Sequence, residues 1–251
     1  MVVIALLTDF GTRDPYVAAM KGVIASRCGA RVADLTHEIA PFDVFGAAFF
    51  LRDAAPYWPA ETIFVVVVDP GVGTSRRILA ARANGQTFLA PDNGVLSLVV
   101  DPPAVSVENE SFFLPGGSTT FHGRDRFAPV AAALANGTAL AELGPSVDDV
   151  VRLDYTPPVY GEATIDGTIV GVDRFGNLIT DIEAGKVAFP DPELRAGCHV
   201  VGRMERNYGD AGGGPFLIAG STGRIEVSVA NGSAADLLQL ARGEKVSVTP
   251  K

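Results

Sequence analysis

The chain has 251 residues, 47% of them hydrophobic, and 20 Lys and Arg against 29 Asp and Glu give a net charge of −9. That length fits one large or two modest domains with a sizeable core, and the acidic balance argues against a nucleic-acid partner, whose phosphates need a basic face. No window reaches the ~18 consecutive apolar residues of a membrane span, and the two cysteines, Cys28 and Cys198, form no CxxC pair, so both are expected as free thiols in a reducing cytoplasm.

Residues 1–7 are apolar but few, lack a basic segment and run straight into Asp9. They read as part of a first strand, 2–8, and not as a signal peptide. Asp9 therefore stands at a strand's C-terminal end. Asp14-Pro15 then opens a helix, with Asp14 as N-cap and Pro15 at the first helical position; Tyr16, Met20 and Val23 or Ile24 follow at helical spacing. Residues 31–35 form a second strand, followed by Thr36-His37-Glu38. Phe45, Ala48, Phe49 and Arg52 mark a second amphipathic helix, which Pro56, Trp58 and Pro59 end.

The stretch around which the chain is organised is 63–77, IFVVVVDPGVGTSRR. Its first six residues are an unbroken, mostly β-branched apolar run, the mark of a strand buried on both faces in a parallel sheet. Asp69 ends it, and Pro70 and Gly71 forbid regular structure. A carboxylate at that end sits where open α/β sheets bind ligands, although a plain turn cap gives the same sequence. Gly71 and Gly73 let the backbone come close to a neighbour, and Arg76 and Arg77 lie within reach of Asp69.

Strands at 78–82 and 87–90 follow, joined by the hairpin turn Ala83-Asn84-Gly85-Gln86. Pro91-Asp92-Asn93-Gly94 leads into a helical segment, 95–99, and serves equally well as a turn and cap. Gly116-Gly117 precedes the charge-dense turn 119–129, TTFHGRDRFAP, and an Ala-rich helix to Ala135. His122, flanked by Gly in that turn, is a candidate functional residue, because loops on a rigid scaffold carry function. Beyond residue 150 the helices thin out. Thr156-Pro157-Pro158 marks the linker, and glycine-punctuated strands follow at 164–172, 178–180, 199–201, 216–219, 225–229 and 245–248, with one short helix at 234–240. The expectation is an α/β N-terminal domain, 1–155, with a mostly parallel central sheet, a linker, 156–161, and a smaller all-β barrel, 162–251. Two turns of that second domain are chemically loaded: Asp173-Arg174-Phe175-Gly176-Asn177, and Gly220-Ser221-Thr222-Gly223 with Asn231-Gly232-Ser233 after it.

The nucleophile elbow GxSxG is absent, as are a P-loop and a dinucleotide fingerprint after the first strand. With only His37, His122 and His199, a zinc site of several His ligands is hard to build. An oxygen-rich metal site from Asp9, Asp69 and Asp92 stays open. What remains is an Asp–Arg–His set, Asp69, Arg76 and His122, beside groups suited to a nucleoside. Asp and Asn match ribose hydroxyls and an adenine edge, and Phe42 or Phe175 can stack on the base.

The ordered motifs TDFG…D.Y…MKG, VVDPGVGTSRR, PDNG, TFHGRD.FAP, DRFGN and GS…NGSAA resemble the S-adenosyl-L-methionine (SAM) hydroxide adenosyltransferases, relatives of the fluorinating and chlorinating SAM enzymes. The likeness spans nearly the whole chain. It implies an N-terminal α/β domain and a C-terminal β-barrel assembled as a homotrimer, with SAM between one subunit's first domain and its neighbour's second. It implies that Asp69, Arg76 and His122 position and activate water, that Asp9 holds the ribose hydroxyls and that Phe42 packs near ribose and adenine. Asn177 and the backbone near Asn231, with Phe175 beside them, would read adenine. Asp173, Ser221 and Thr222 would hold the methionine amino and carboxylate groups, with Asp14 as a further candidate. The family's usual Asn after the FGN segment is Asp181 here, which is not carried as a site residue.

The chemistry agrees with the likeness. A sulfonium leaves as a neutral thioether, so no general acid is needed, and neither metal nor redox cofactor is called for. His122 can accept or relay the proton of water, Asp69 can orient water or His122, and Arg76 can keep Asp69 ionised. Two rivals from other classes are a SAM-binding regulator without turnover and a metal-dependent phosphoesterase built on Asp9, Asp69, Asp92 and His122. A halogenating SAM enzyme is the nearer alternative. Against it stand Gly123, where the halogenating relatives place Ser, and Asp69, where they place an uncharged Tyr.

Overall fold

The computed structural model describes residues 2–251, so Met1, the first residue of the apolar start, lies outside the described residues. The chain divides into two compact units, one ending at Asp154 and one running from Tyr155 to Lys251.

In chain order the first unit contains β1 (Val3–Thr8), α1 (Tyr16–Arg27), β2 (Arg31–Thr36), α2 (Val44–Ala54), β3 (Ile63–Val67), β4 (Ile78–Ala83), β5 (Gln86–Pro91), β6 (Ala104–Ser106), α3 (Ala128–Ala135), α4 (Leu140–Leu143) and β7 (Ser146–Val147). Seven strands form one sheet, in the order β2-β1-β3-β5-β4-β6-β7. Strand periodicity sorts its side chains between two cores. Ala5, Leu7, Phe64 and Val66 pack on Ala47, Ala48 and Leu51 of α2. Ile4, Leu6, Ile63, Val65 and Val67 pack on the opposite face with Met20 and Ile24 of α1 and with Val130 and Ala131 of α3. The apolar run is thus buried on both faces, as its composition predicts.

The sheet is mixed, however, and not mostly parallel. β2, β1, β3 and β5 run parallel to their neighbours, while β4 pairs antiparallel with both β5 and β6, and β6 with β7. The cause is the Asn84-Gly85 turn. Its φ values of 52° and 76° are those of a type I′ hairpin, which reverses β4 against β5 and leaves the sheet's far edge antiparallel.

Two local expectations also change. α1 starts at Tyr16 with Pro15 in the cap position, and no side chain, Asp14 included, caps its amides. Residues 95–99 form consecutive turns and not a helix.

The second unit contains β8 (Val159–Tyr160), β9 (Ile165–Val172), β10 (Leu178–Glu183), β11 (Pro192–Ala196), β12 (His199–Val201), β13 (Met204–Glu205), β14 (Pro215–Ala219), β15 (Arg224–Val229), α5 (Ala234–Leu238) and β16 (Lys245–Pro250). The nine strands form one sheet in the order β12-β11-β16-β9-β10-β15-β14-β13, with β8 on β9. β8 falls inside the stretch 156–161 expected as a linker. β12 and β13 lie at opposite ends of the sheet path, yet only Gly202 and Arg203 separate them in the chain. The sheet must therefore curl, bringing its two end strands toward each other. It is a curled half-barrel around Ile169, Leu178, Leu194, Leu217, Val227 and Val248.

Candidate functional site

Thr8 and Val67 are partners in the parallel β1–β3 ladder. Asp9 and Asp69 therefore leave adjacent strands at the same, C-terminal, end, the place where α/β sheets bind ligands. Gly73 shows what the glycines of this loop are for. Its φ is +81°, and a Cβ there would sit 2.6 Å from the Thr119 carbonyl oxygen. The Asp69 loop and the His122 loop are thereby packed backbone to backbone.

Three predicted residues meet in that packing. Arg76 Nε donates to Asp69 Oδ1 and Oδ2 at 2.9 and 3.0 Å, and Nη2 donates to Oδ2 as well. Nη2 also lies 2.8 Å from His122 Nδ1. The Arg76 and Asp69 side chains are 9% and 5% exposed, and His122 is 2% exposed. Because a guanidinium only donates, Nδ1 must accept. His122 is thus a neutral imidazole carrying its proton on Nε2, which has no partner among the described residues. Burial, with the charges of Arg126 and Arg76, holds the His122 pKa below its usual value, in keeping with this tautomer. The Nη1 of Arg76 is buried without a hydrogen-bond partner among the described residues.

A cavity of about 270 Å³ opens against this set, lined among others by Asp9, Phe42, Asp69, His122 and Gly123. Asp9 Oδ2 accepts the Phe42 N–H at 2.8 Å. That bond anchors Phe42 at a φ of 67°, unusual for a side-chain-bearing residue. The Phe42 ring is left 70% exposed. Asp14 is exposed and does not line the cavity.

Sequence reasoning missed two supports. Phe10, Tyr16 and Phe121 form an aromatic wall, with centroids 5.1–6.1 Å apart. Behind it, the Thr8 hydroxyl bonds His37 Nδ1 at 2.9 Å, and His37 Nε2 sits 3.0 Å from Asp34 Oδ1. Thr8 Oγ1 accepts from Phe10 N–H, and the His37 carbonyl accepts from Gly11 N–H, so this relay pins both sides of the Asp9 loop. The polar Thr36-His37-Glu38 after a strand was the available signal.

The predicted residues of the second unit line a different cavity, of about 860 Å³, which holds Asp173, Phe175, Asn177, Ser221, Thr222 and Asn231. Asp173 Oδ1 accepts the N–H groups of Phe175 and Asn177, and Oδ2 accepts Asn177 Nδ2. Tyr208 and Glu226 also line this cavity, and sequence reasoning found neither. Asp181 lies elsewhere. It accepts Thr168 N–H at 2.7 Å and the Tyr155 hydroxyl at 3.2 Å, and burial raises its pKa. It is a structural residue.

Asp9, Asp69 and Asp92, the carboxylates of the phosphoesterase reading, each have partners within the protein. Asp92 is occupied by Arg77 and by Val151 N–H, and no group of three or more His, Cys, Asp or Glu suited to a metal ion occurs among the described residues. No helix among them is long and apolar enough to cross a membrane.

Residues 4–144 match the model of the SAM hydroxide adenosyltransferase N-terminal domain, and residues 167–247 match that of the C-terminal domain. The chain belongs to this family. An (R)-S-adenosyl-L-methionine hydrolase of Thermus thermophilus is 41% identical over 256 residues, 96% of each chain. A fluorinase of an Actinoplanes species is 31% identical over 212 residues, 72% of this chain and 71% of its own. The crystal structure of an uncharacterized conserved protein from Thermotoga maritima superimposes with a TM-score of 0.89 at 34% identity, over 99% of this chain and 100% of that one.

Proposed function

We propose that this chain hydrolyses SAM to adenosine and L-methionine, with water or hydroxide attacking C5′ in line with the departing sulfur. The observation that carries this reading is the buried Asp69–Arg76–His122 cluster beside a cavity, in a chain of the hydroxide adenosyltransferase family. A C5′–O bond forms as C5′–S breaks. The electron pair stays on sulfur, methionine leaves as a neutral thioether, and the nucleophile gives up one proton. Hydroxide meeting a sulfonium cancels charge, so a dry cavity favours the step, given in-line contact at about 3–3.5 Å.

The His122 tautomer sets the roles. Nδ1 of His122 is taken by Arg76, so His122 donates from Nε2 to the nucleophile oxygen and holds it. Asp69, oriented by Arg76, is left as the acceptor of its proton. The aromatic wall keeps water out. Asp9 binds the ribose hydroxyls, Phe42 covers the ribose, and Asn177, Phe175 and the Asn231 backbone read adenine. Asp173, Ser221 and Thr222 take the amino-acid end. A homotrimer, in which a neighbouring subunit's second unit completes each site, is the assembly that the family likeness supports. The chemistry asks for no metal or cofactor, because the leaving group is neutral.

The test is incubation of purified protein with SAM in oxygen-18 water, with and without saturating fluoride or chloride, followed by chromatography and mass spectrometry. Adenosine labelled at O5′ is expected. Failure to exceed spontaneous decay removes the activity, and a dominant 5′-halo nucleoside replaces water as nucleophile. A carboxylate beside C5′ repels a halide, and dehydrating a halide without donors is costly.

A further inference from the structure

We infer that the Asp92-Asn93-Gly94 turn is a positioning clamp for the reaction: it grips both ends of the loop that carries Asp69 and Arg76, and Asn93 is the residue that fixes where the Asp69 carboxylate stands. The inference rests on the SAM reading above and adds to it residues that act through Asp69 and Arg76.

Asp69 and Arg76 lie near the two ends of the loop 68–77, between β3 and β4. Residues 72–75 are exposed, and the middle of the loop is tied down by the contact of Gly73 with the Thr119 backbone. Its ends need anchors of their own, and the ladders beside them stop short. β3 pairs with β1 as far as Val67 and with β5 as far as Val65. The Val68 carbonyl, one residue before Asp69, lies beyond both ladders on a residue that is fully buried. A buried carbonyl without a donor is costly. Asn93 supplies the donor: its Nδ2 bonds the Val68 oxygen at 2.9 Å, across 25 residues of chain. The Asn93 Oδ1 accepts Val95 N–H at 3.2 Å, which is all that a plain turn cap requires. The reach of Nδ2 to Val68 is beyond that requirement.

The neighbouring residue holds the loop's other end. Asp92 N–H donates to the carbonyl of Arg77, the residue after Arg76, at 3.0 Å, and Arg77 Nε donates to Asp92 Oδ2 at 2.8 Å. The turn has a firm footing. Asp92 is 4% exposed at its side chain, and its Oδ1 accepts Val151 N–H at 2.8 Å. A Cβ at Gly94, whose φ is +94°, would stand 2.9 Å from Leu153 N, so the turn lies flush on that backbone. Arg77 also donates to Asp149, at Oδ1 and at the carbonyl. Neither Asp92 nor Asn93 lines the cavity beside His122. Their effect on the reaction is therefore one of placement, and a displacement of about 1 Å in a reacting group can cost about 10²-fold in rate.

The test uses the full-length protein and Asn93→Ala. The kcat for adenosine formation should fall about tenfold or more while KM stays within about threefold, because the loop carries the groups assigned to the nucleophile and not those assigned to binding. Asn136→Ala, which removes an Asn Nδ2 bond of 3.0 Å to the Arg27 carbonyl, is the control and should leave kcat unchanged. In an Asp69→Asn background, Asn93→Ala should cost less than about twofold more, since a clamp acting through Asp69 has nothing left to place. A readout that needs no turnover is nitrogen-15 NMR of the imidazole rings, of which the chain has three, recorded well below each variant's melting temperature. Wild-type His122 should show a bare Nδ1 and a protonated Nε2. In Asn93→Ala, with Arg76 no longer held on Nδ1, the two signals should move toward each other as the second tautomer appears. A lowered melting temperature with kcat and the His122 ring unchanged makes Asn93 a residue of the fold alone and overturns the inference. A KM rise larger than the kcat loss, or full additivity with Asp69→Asn, overturns it as well. Absence of adenosine formation by the wild type rejects the hydrolase reading by itself, and the ring-nitrogen spectra then still decide the clamp.

Discussion

Arg76 is the residue on which the first unit's site turns, and Arg76→Ala tests it most directly. The substitution removes every hydrogen-bond partner that the Asp69 carboxylate has among the described residues, and the donor on His122 Nδ1. The Asp69 side chain is 5% exposed, so water cannot simply replace the lost donors. Stranding one member of a buried ion pair costs about 3–5 kcal/mol. For a unit of this size, each kcal/mol lowers the melting temperature by about 2–4 °C, so the drop should be roughly 6–20 °C. Turnover should fall by about 10²-fold or more, because the tautomer of His122 and the orientation of Asp69 are lost together. The assays are thermal unfolding followed by circular dichroism and single-turnover formation of adenosine. The double variant Asp69→Asn with Arg76→Ala provides the control. It removes the stranded charge and should regain most of the stability without regaining activity. A single variant that melts within about 2 °C of wild type, or a double variant no more stable than the single, refutes the reasoning.

His122→Ala should lower kcat by about 10²-fold or more with SAM affinity largely kept, measured by steady-state kinetics and calorimetry. Because burial, Arg126 and Arg76 depress the His122 pKa, the wild-type rate should stay level as pH falls past about 6.5, the ordinary imidazole value, and drop only below it. Protonation favours the unfolded chain in that window, so this group's stability contribution is present above about pH 6.5 and is lost as pH falls from there toward its lower folded pKa; a rate that halves above that value contradicts a neutral His122. Asp9→Ala removes both the ribose acceptor and the anchor of Phe42, and KM should rise about tenfold or more, with kcat less affected; an unchanged KM argues against the assignment. Mixing Asp9→Ala chains with Asp173→Ala chains and allowing subunits to exchange should restore part of the activity, and light scattering should give a trimer. An active monomer refutes the composite site.

Local chemistry was legible in the chain itself. The β-branched run 63–68 declared a strand buried on both faces, Asn84-Gly85 declared a tight hairpin, and the carboxylates Asp9 and Asp69 declared themselves at strand ends, since each depends on only a few neighbouring residues. The family motifs carried the pairing of Asp69, Arg76 and His122. Other features depended on residues far apart in sequence. The hairpin was readable, but its effect on sheet direction was not, because strand order is decided by which edges pair. Residues 95–99 carry an apolar pattern yet fold as turns, and Asp14-Pro15 looks like a cap yet caps nothing, because tertiary contacts override weak local preference. The proton on His122 Nε2 follows only from Arg76 lying 2.8 Å from Nδ1, across 46 residues of chain. Glu226 reads as one polar residue of an alternating strand. Only the packed chain, with the bare backbone of Gly220 against its carboxylate, places it on a cavity wall, since what a strand residue faces is a property of the packed chain and not of any segment of it.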